Sequence, residues 1–260
     1  MQPYTIYQVD AFTDHLFGGN PAAVCPLQQW LSTETMQQLA MENNLSETVF
    51  FVQQNDIFHI RWFTPELEID LAGHPTLAAA FIIFTELQYN KETIHFESKS
   101  GSLYVTKKED VLQMDFPARA PQPANPPVAL IEGINIHPKH ILKSRDYLLV
   151  YNTEDEVRKF KPDFEWLNKV DTLGFIVTAK GNDCDFVSRF FVPNSVIGED
   201  PVTGSAHSSL IPYWSKELKK DILVAKQISK RGGTLWCENK GNRVVISGKA
   251  ILYMKGFFYL

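Results

Sequence analysis

The order of apolar and polar positions predicts a chain built mainly of short strands. Alternation over Tyr4–Phe12 predicts the first strand, and the apolar run Ala22–Pro26 predicts a short buried second strand. Similar patterns predict strands at Glu47–Val52, Ile57–Thr64, Thr93–Glu97, Ser102–Thr106, Val111–Phe116, Tyr147–Tyr151, Leu173–Thr178, Asp185–Val192, Ile222–Ile228, Thr234–Glu238, Arg243–Ser247 and Lys249–Tyr259.

Helical spacing of apolar residues interrupts these strands at a few places. The predicted helices are one capped by Ser32 or Thr33 that ends near Asn43, a buried one along Leu77–Leu87, one at Phe164–Lys169 and one that begins at Ser205. Because proline removes a helical N–H, we expect Pro212 to kink the last helix or end it early.

The two halves of the chain repeat one another in order. RWFTP at Arg61–Pro65 matches RFFVP at Arg189–Pro193 with an offset of 128. Further along, the alignment pairs Asp70 with Asp200 and, at an offset of 131, Gly73 with Gly204. A repeat of this length indicates two related domains rather than a solenoid.

A proline-rich segment separates the two halves. It predicts domains at residues 1–116 and 128–260, joined by a linker at 117–127, with the last strand able to pack on the N-terminal domain. The predicted fold class is α+β, with two pseudo-symmetric domains that are each a curved mixed sheet around a central apolar helix.

Composition narrows the class of protein. The chain has 260 residues, 44% of them hydrophobic, which is enough for a sizeable core. A net charge of −5 argues against nucleic acid as a partner, and no apolar run is long enough to span a membrane. Three scattered cysteines predict neither a disulfide framework nor a zinc site, so we expect a cytoplasmic protein.

The candidate chemistry lies at two predicted helix starts. Asp70 precedes Gly73 and His74 in the first, and Asp200 precedes Gly204 and Ser205 in the second, written EIDLAGHPT and GEDPVTGSAH. A glycine at a helix start lets an anion approach free backbone N–H groups. We therefore expect the two helix starts to face one cleft and to bind a carboxylate or phosphate.

Glu47 is a further candidate because the duplication does not require it. It opens an apolar strand, and its aligned position in the second half is Gly174. An acid present in only one of two related domains is a hint of function.

Four stretches in this order resemble the PhzF family of phenazine biosynthesis: FTDHLFGGNPAAV, NLSETVFF, LAGHPTLAAA and GEDPVTGSAH. The resemblance covers essentially the whole chain. It implies a fold like that of diaminopimelate epimerase, no metal or organic cofactor, and a homodimer. In PhzF itself the reaction is the isomerisation of a dihydro-hydroxyanthranilate.

The resemblance also implies roles for individual residues. The acid/base residue would be Glu47, with His74 and Asp200 as the other catalytic groups. Substrate-binding residues would be Asn20, Ser46, Gly73, Gly204 and Ser205, and the duplication adds Asp70 to this group. The epimerases use two thiols, each just before a helix-start glycine, but here Ala72 and Thr203 occupy these places, which argues against two-thiol racemisation.

The sequence therefore predicts an isomerase that moves a proton on a small carboxylate-bearing substrate, with Glu47 as the single base. Three alternatives remain open. One is a lyase or hydrolase reaction in the same cleft, and another is a non-catalytic binding or scaffold protein that retains the fold. In the third, the motifs only stabilise helix starts, and Ser205→Ala would remove a cap worth about 0.5–2 kcal/mol of stability.

Overall fold

A computed structural model of the chain describes residues 1–193, 195 and 197–260. Its strands are β1 (Pro3–Ala11), β2 (Asn20–Leu27), β3 (Glu47–Gln54), β4 (Ile57–Phe63), β5 (Glu68–Ile69), β6 (Thr93–Ser98), β7 (Gly101–Lys108), β8 (Val111–Pro117), β9 (Gln122–Pro123), β10 (His140–Lys143), β11 (Tyr147–Val150), β12 (Phe175–Lys180), β13 (Phe186–Val192), β14 (Gly198–Asp200), β15 (Ile222–Gln227), β16 (Gly233–Asn239), β17 (Arg243–Gly248) and β18 (Ala250–Tyr259).

The helices are α1 (Thr33–Asn43), α2 (Gly73–Thr85), α3 (Val128–Glu132), α4 (Glu154–Lys159), α5 (Phe164–Leu167) and α6 (His207–Leu218), and a 3-10 turn at Gly204–Ala206 leads into α6. Among the described residues, none of these helices combines the length and the apolar character that a membrane span requires.

The chain divides into two compact units. Unit 1 comprises Met1–Asp115 and Ser247–Leu260, and unit 2 comprises Phe116–Ile246. The last strand, β18, belongs to unit 1 and pairs antiparallel with β1. The proline-rich segment expected as a linker lies within unit 2, where β9 pairs with β10.

Unit 1 is a mixed sheet with α2 packed on it. In this sheet β2 is parallel to β3, β3 is antiparallel to β4, β4 is parallel to β6, and β6 is antiparallel to β7. Eleven of the thirteen residues of α2 are buried, against β1, β2 and β3 among others. A helix that is apolar on every side needs such a position, since no face of it can be left in water.

Unit 2 repeats this topology. Here β11 is parallel to β12, β12 is antiparallel to β13, β13 is parallel to β15, and β15 is antiparallel to β16. The helix α6 takes the place of α2, with Trp214 stacked on Phe186 and its Nε1 donating to Thr178 Oγ1 at 2.9 Å. The duplication predicted from the sequence is therefore present in the strand order.

The duplicated arginines hold equivalent positions in the two units. Arg61 on β4 donates from Nε and Nη2 to the two carboxylate oxygens of Glu68, at 2.7 and 2.8 Å. Arg189 on β13 donates in the same way to Glu199, at 2.7 and 2.9 Å. Planar bidentate pairs of this kind are strong and directional. The hydrogen bond from Arg61 lowers the pKa of Glu68 to about 2.

The strand register corrects one part of the sequence alignment. Phe63 lies opposite Glu68 and Trp62 opposite Ile69, whereas in unit 2 Phe191 lies opposite Glu199 and Phe190 opposite Asp200. Asp200 is thus the counterpart of Ile69 and not of Asp70. The offset of 131 that pairs Gly73 with Gly204 already holds at Asp200. The pairing of Asp70 with Asp200, at an offset of 130, is therefore wrong.

Pro212 does not end its helix early. Helix α6 continues beyond it to Leu218. The carbonyl of Ser208, which would have accepted the missing N–H of residue 212, instead accepts the backbone N–H of Arg119 at 2.8 Å. A donor from the proline-rich segment therefore compensates for the proline in the helix.

Most predicted strands and helices are present with small shifts at their ends, and Ser32 is the residue that caps α1. Sequence reasoning missed α3, α4, β5, β9, β10 and β14. For α4 a signal was available, because Thr153 and Glu156 form a capping box. The strands β5 and β14 are too short for any periodicity to show.

The same register explains why only unit 1 carries an acid at the start of its third strand. Thr48 lies opposite Phe63 and Phe175 opposite Phe191, so Glu47 corresponds to Gly174. A Cβ at Gly174 would lie 2.4 Å from Cζ of Phe190. Residue 174 has no room for any side chain, let alone a carboxylate.

We predict that Gly174→Ala lowers the free energy of unfolding by roughly 1–3 kcal/mol, the usual consequence of overpacking a core. Gly256→Ala is the matched control, because a Cβ at Gly256 would meet no heavy atom within 4 Å. It should change stability by less than about 0.5 kcal/mol. Denaturant unfolding of both variants checks this, and equal stabilities would contradict the steric explanation.

Candidate active site

The polar groups of unit 1 meet where three elements begin. Asn20 opens β2, Glu47 opens β3, and His74 is the second residue of α2. Parallel pairing of β2 and β3, with Ala22 opposite Glu47, brings both strand starts to one edge of the sheet. The helix start lies beside this edge because α2 packs on β2 and β3.

A buried chain of hydrogen bonds fixes the state of His74. Ser46 Oγ donates to Asn20 Oδ1 at 3.1 Å, and Asn20 Nδ2 lies 3.1 Å from His74 Nδ1. An amide nitrogen can only donate, so Nδ1 of His74 must accept and Nε2 must carry the proton. Asn20 has no exposed surface, and His74 has only 4%.

The far side of His74 faces Glu47. Nε2 of His74 lies 3.0 Å from Oε2 of Glu47, whose side chain is 16% exposed. The two atoms are close but not aligned for a hydrogen bond, so Oε2 is buried without a hydrogen-bond donor among the described residues. Buried oxygens are rarely left in this state, which makes Glu47 a candidate for chemistry.

In unit 2 a buried glutamine organises the loop that carries Asp200. Gln227 Oε1 accepts the backbone N–H of Thr203 at 2.8 Å, and its Nε2 donates to the carbonyl of Asp200 at 2.7 Å. The hydroxyl of Thr203 donates to Oδ2 of Asp200. Asp200 is half-buried, and its carboxylate direction is set by this loop.

Ser205 does not cap a helix, so the predicted loss of a cap in Ser205→Ala is wrong. Ser205 lies inside the 3-10 turn, and neither this turn nor α6 has a side-chain cap. Its Oγ instead accepts a hydrogen bond from Nη2 of Arg145 at 3.1 Å. Arg145 was not found from the sequence, where a single arginine before a strand gives no signal.

The two helix starts also share a hydrogen bond from a side chain to a backbone carbonyl. Thr76 Oγ1 donates to the carbonyl of Ala72, and His207 Nδ1 bonds the carbonyl of Thr203 at 2.9 Å, in each case four residues back. These are equivalent positions in the duplication. His207 is fully buried, and desolvation lowers its pKa to about 4. His207 is therefore a neutral structural residue.

The remaining predicted residues have simpler surroundings. Gly73 and Gly204 are buried first residues of α2 and of the 3-10 turn. Asp70 is exposed just after β5. The structure thus brings together Asn20, Ser46, Glu47 and His74 in unit 1, while Asp200, Gly204 and Ser205 lie along one loop of unit 2.

The thiols have no place in either group. Cys25 and Cys237 are fully buried, and burial raises the pKa of both thiols. Ala72 and Thr203 stand just before the two helix-start glycines. In addition, no set of three or more His, Cys, Asp or Glu side chains within the described parts of the chain is arranged to hold a metal ion.

Comparison with known proteins identifies the family. The model of the PhzC-PhzF family, phenazine biosynthesis-like proteins, matches residues 9–256. A Pseudomonas aeruginosa protein named an uncharacterized isomerase is 49% identical over 256 residues, which cover 98% of this chain and 99% of that protein. The chain belongs to the PhzC-PhzF family, and the prediction of a PhzF-type isomerase is confirmed at this level.

Solved structures agree with this assignment. The crystal structure of a PhzF-family protein from Enterococcus faecalis matches with a TM-score of 0.96 and 48% identity, covering 100% of both chains. A hydroxyproline epimerase from Agrobacterium vitis matches with a TM-score of 0.62 at 8% identity, covering 98% of this chain and 92% of that one. The second likeness concerns the fold alone, and it confirms the predicted epimerase-like class.

The depressed pKa of His207 predicts a pH-dependent stability. In the unfolded chain the imidazole binds a proton near pH 6.5, whereas the folded protein resists protonation down to about pH 4. Stability is therefore complete above pH 6.5 and falls as the pH drops to 4, by at most about 3 kcal/mol. In His207→Thr, which copies Thr76, this part of the pH dependence should disappear.

The control for this prediction is His140→Thr, since His140 is exposed on β10. It should keep the wild-type loss of stability between pH 6.5 and 4. Urea unfolding at pH intervals of about 0.5 gives the free energy of unfolding of the wild type and of both variants. An unchanged pH slope in His207→Thr would show that His207 titrates normally in the folded protein.

Proposed function

We propose that this protein is a cofactor-independent isomerase that moves a proton on a small carboxylate-bearing substrate, with Glu47 as the acid/base group. The observation that carries the proposal is the position of Oε2 of Glu47. It is buried, has no aligned hydrogen-bond donor among the described residues, and lies 3.0 Å from Nε2 of His74. A carboxylate oxygen with unused hydrogen-bonding capacity is suited to accept a proton from a substrate carbon.

The reaction needs only one such group. The Glu47 carboxylate removes a proton from a carbon next to an unsaturated or carbonyl carbon, and the electron pair of the broken C–H bond moves into the conjugated system. The carboxylic acid of Glu47 then returns the proton to another carbon of the same system. Substrate and product have the same atoms, and Glu47 ends in its starting state.

His74 supports this transfer as a neutral donor. Since Asn20 occupies Nδ1, the imidazole presents its Nε2–H on the side of Glu47. A fixed N–H can stabilise negative charge that develops on Glu47 or on a substrate oxygen without first having to reorient. Ser46 and Asn20, proposed from the sequence as substrate ligands, act in this proposal through His74, because Asn20 has no exposed surface.

The loop of unit 2 supplies groups for substrate binding. Backbone N–H groups at the helix start and the hydroxyl of Ser205 suit a carboxylate, while the oriented carboxylate of Asp200 suits an amine or hydroxyl hydrogen. Gly73 offers a comparable helix start in unit 1. The proposed substrate class is therefore a small amino or hydroxy acid with an acidic C–H bond.

Glu47→Gln tests the base directly. A thermal-shift screen of small cyclic and aliphatic amino and hydroxy acids selects ligands that stabilise both the wild type and the variant. We expect the wild type to exchange or move a carbon-bound hydrogen of such a ligand in D2O, followed by NMR, and the variant to do so about 100- to 10,000-fold more slowly. Near-wild-type exchange by Glu47→Gln would exclude Glu47 as the base.

Asn20→Asp tests the tautomer of His74. A carboxylate at residue 20 accepts from Nδ1–H, so the proton leaves Nε2, and we expect turnover to fall at least tenfold with a smaller change in ligand affinity. The matched control is Asn43→Asp, because Asn43 donates to Thr48 in the same unit without touching His74. Equal turnover in the two variants would contradict the proposed role of the relay.

A further inference from the structure

Arg145 contacts both a buried acid and the helix-start residue Ser205 of unit 2. It lies two residues before β11, and its side chain is 31% exposed. Nε and Nη2 donate to Oδ2 of Asp146 at 3.0 and 2.7 Å, and Nη2 also donates to Oγ of Ser205 at 3.1 Å. The guanidinium is therefore fixed at two points beside the helix start of unit 2.

This contact determines what Ser205 can do. A guanidinium has five N–H donors and no acceptor, so Ser205 Oγ must accept from it. The hydroxyl hydrogen then points away from Arg145 and is available to another acceptor. A positive neighbour also polarises the O–H bond, which makes the hydroxyl a better donor.

Asp146 explains why Arg145 stays in this position. Its carboxylate is 2% exposed, and Oδ1 is buried without a hydrogen-bond partner among the described residues. Burying such a group is costly, and its ion pair with Arg145 offsets that cost only while the guanidinium remains on Oδ2. The pair also reduces the net charge at this place, so Arg145 is not simply a free cation for any anion.

Unit 1 contains a parallel arrangement. At the common offset of 131, His74 is the counterpart of Ser205, and each is the second residue of its helix-start motif. In register, Ala23 and Tyr147 are equivalent, and Asn20 lies three residues before the first while Arg145 lies two residues before the second, so the two are neighbours in the alignment without being exact counterparts. In both units a donor from this segment occupies the acceptor atom of the helix-start residue.

We propose that Arg145, held by Asp146, is a positioning residue that makes Ser205 a hydrogen-bond donor to the carboxylate of the substrate. The inference rests on the proposed role of Ser205 in binding. In this arrangement the affinity for a ligand depends on how strongly its carboxylate accepts a hydrogen bond from Ser205. Arg145 acts through Ser205 and does not touch the ligand.

The test uses two matched probes, 2-aminobenzoate and its uncharged amide 2-aminobenzamide, with binding measured by calorimetry. The variants are Ser205→Ala, the pair Arg145→Gln with Asp146→Asn, and all three changes together. Replacing both charged partners avoids leaving Asp146 buried and unpaired. Each of the first two should weaken 2-aminobenzoate binding about tenfold, the value of one hydrogen bond to a charged group.

The combined variant and the amide identify the mechanism. If Arg145 acts through Ser205, the triple variant should bind 2-aminobenzoate no more weakly than Ser205→Ala alone. Binding of 2-aminobenzamide, a weaker acceptor, should change less than about twofold in any variant. The control pair, Arg158→Gln with Glu154→Gln, removes an arginine and its buried acid in the same unit, and it should bind both probes like the wild type.

The possible failures are distinct. Additive losses in the triple variant would mean that Arg145 contacts the ligand, which overturns the positioning role. Equal losses for both probes would mean that Arg145 has only a structural role, which overturns it as well. If Ser205→Ala weakens binding and the Arg145 pair does not, the inference fails while the proposed function stands. If the wild type does not bind 2-aminobenzoate, or Ser205→Ala has no effect, the carboxylate-binding role of Ser205 fails together with the inference, while Glu47→Gln still tests the base separately.

Discussion

The bidentate arginine–glutamate pair is the interaction on which each unit depends. In unit 1 Arg61 joins β4 to the two-residue strand β5, and in unit 2 Arg189 joins β13 to β14. Strands this short have too few backbone bonds to hold their place, so the side-chain pair supplies the missing constraint. Each short strand leads directly to the helix start where the candidate chemistry lies. A planar guanidinium fork fixes direction as well as distance, which a lysine could not do.

The two units share this arrangement but differ in the residues around their helix starts. Unit 1 has space at the start of β3 for a carboxylate, whereas in unit 2 the ring of Phe190 fills the equivalent volume beside Gly174. The helix-start residue has also changed, from His74 to Ser205, and its supporting donor from Asn20 to Arg145. Under the proposed function, unit 1 supplies the proton-transfer group and unit 2 supplies hydrogen-bonding groups.

Buried polar networks hold the candidate site residues of each unit in one orientation. In unit 1 the sequence of donors from Ser46 through Asn20 to His74 leaves only one tautomer. In unit 2 Gln227 satisfies both the N–H of Thr203 and the carbonyl of Asp200, so the loop has one arrangement that pairs all these groups. A buried polar group left without a partner costs about 1–3 kcal/mol, which is why such networks select one geometry. Oε2 of Glu47, beside this network, is buried without such a partner among the described residues, as is Oδ1 of Asp146 next to Arg145. Departures of this kind are expected at functional sites.

The sequence alone determined the order of the longer strands and helices, the duplication and the family resemblance, because periodicity, caps and motif spacing are local properties of the chain. It also singled out Glu47, His74, Asp200 and Ser205. Tertiary structure was needed for everything that depends on register and on partners distant in the chain. Only the pairing of β13 with β14 showed that Asp200 matches Ile69, and only packing showed that Arg119 compensates for Pro212. Arg145 could not be found from the sequence, since sixty residues separate it from Ser205 and no local pattern records a contact of that range.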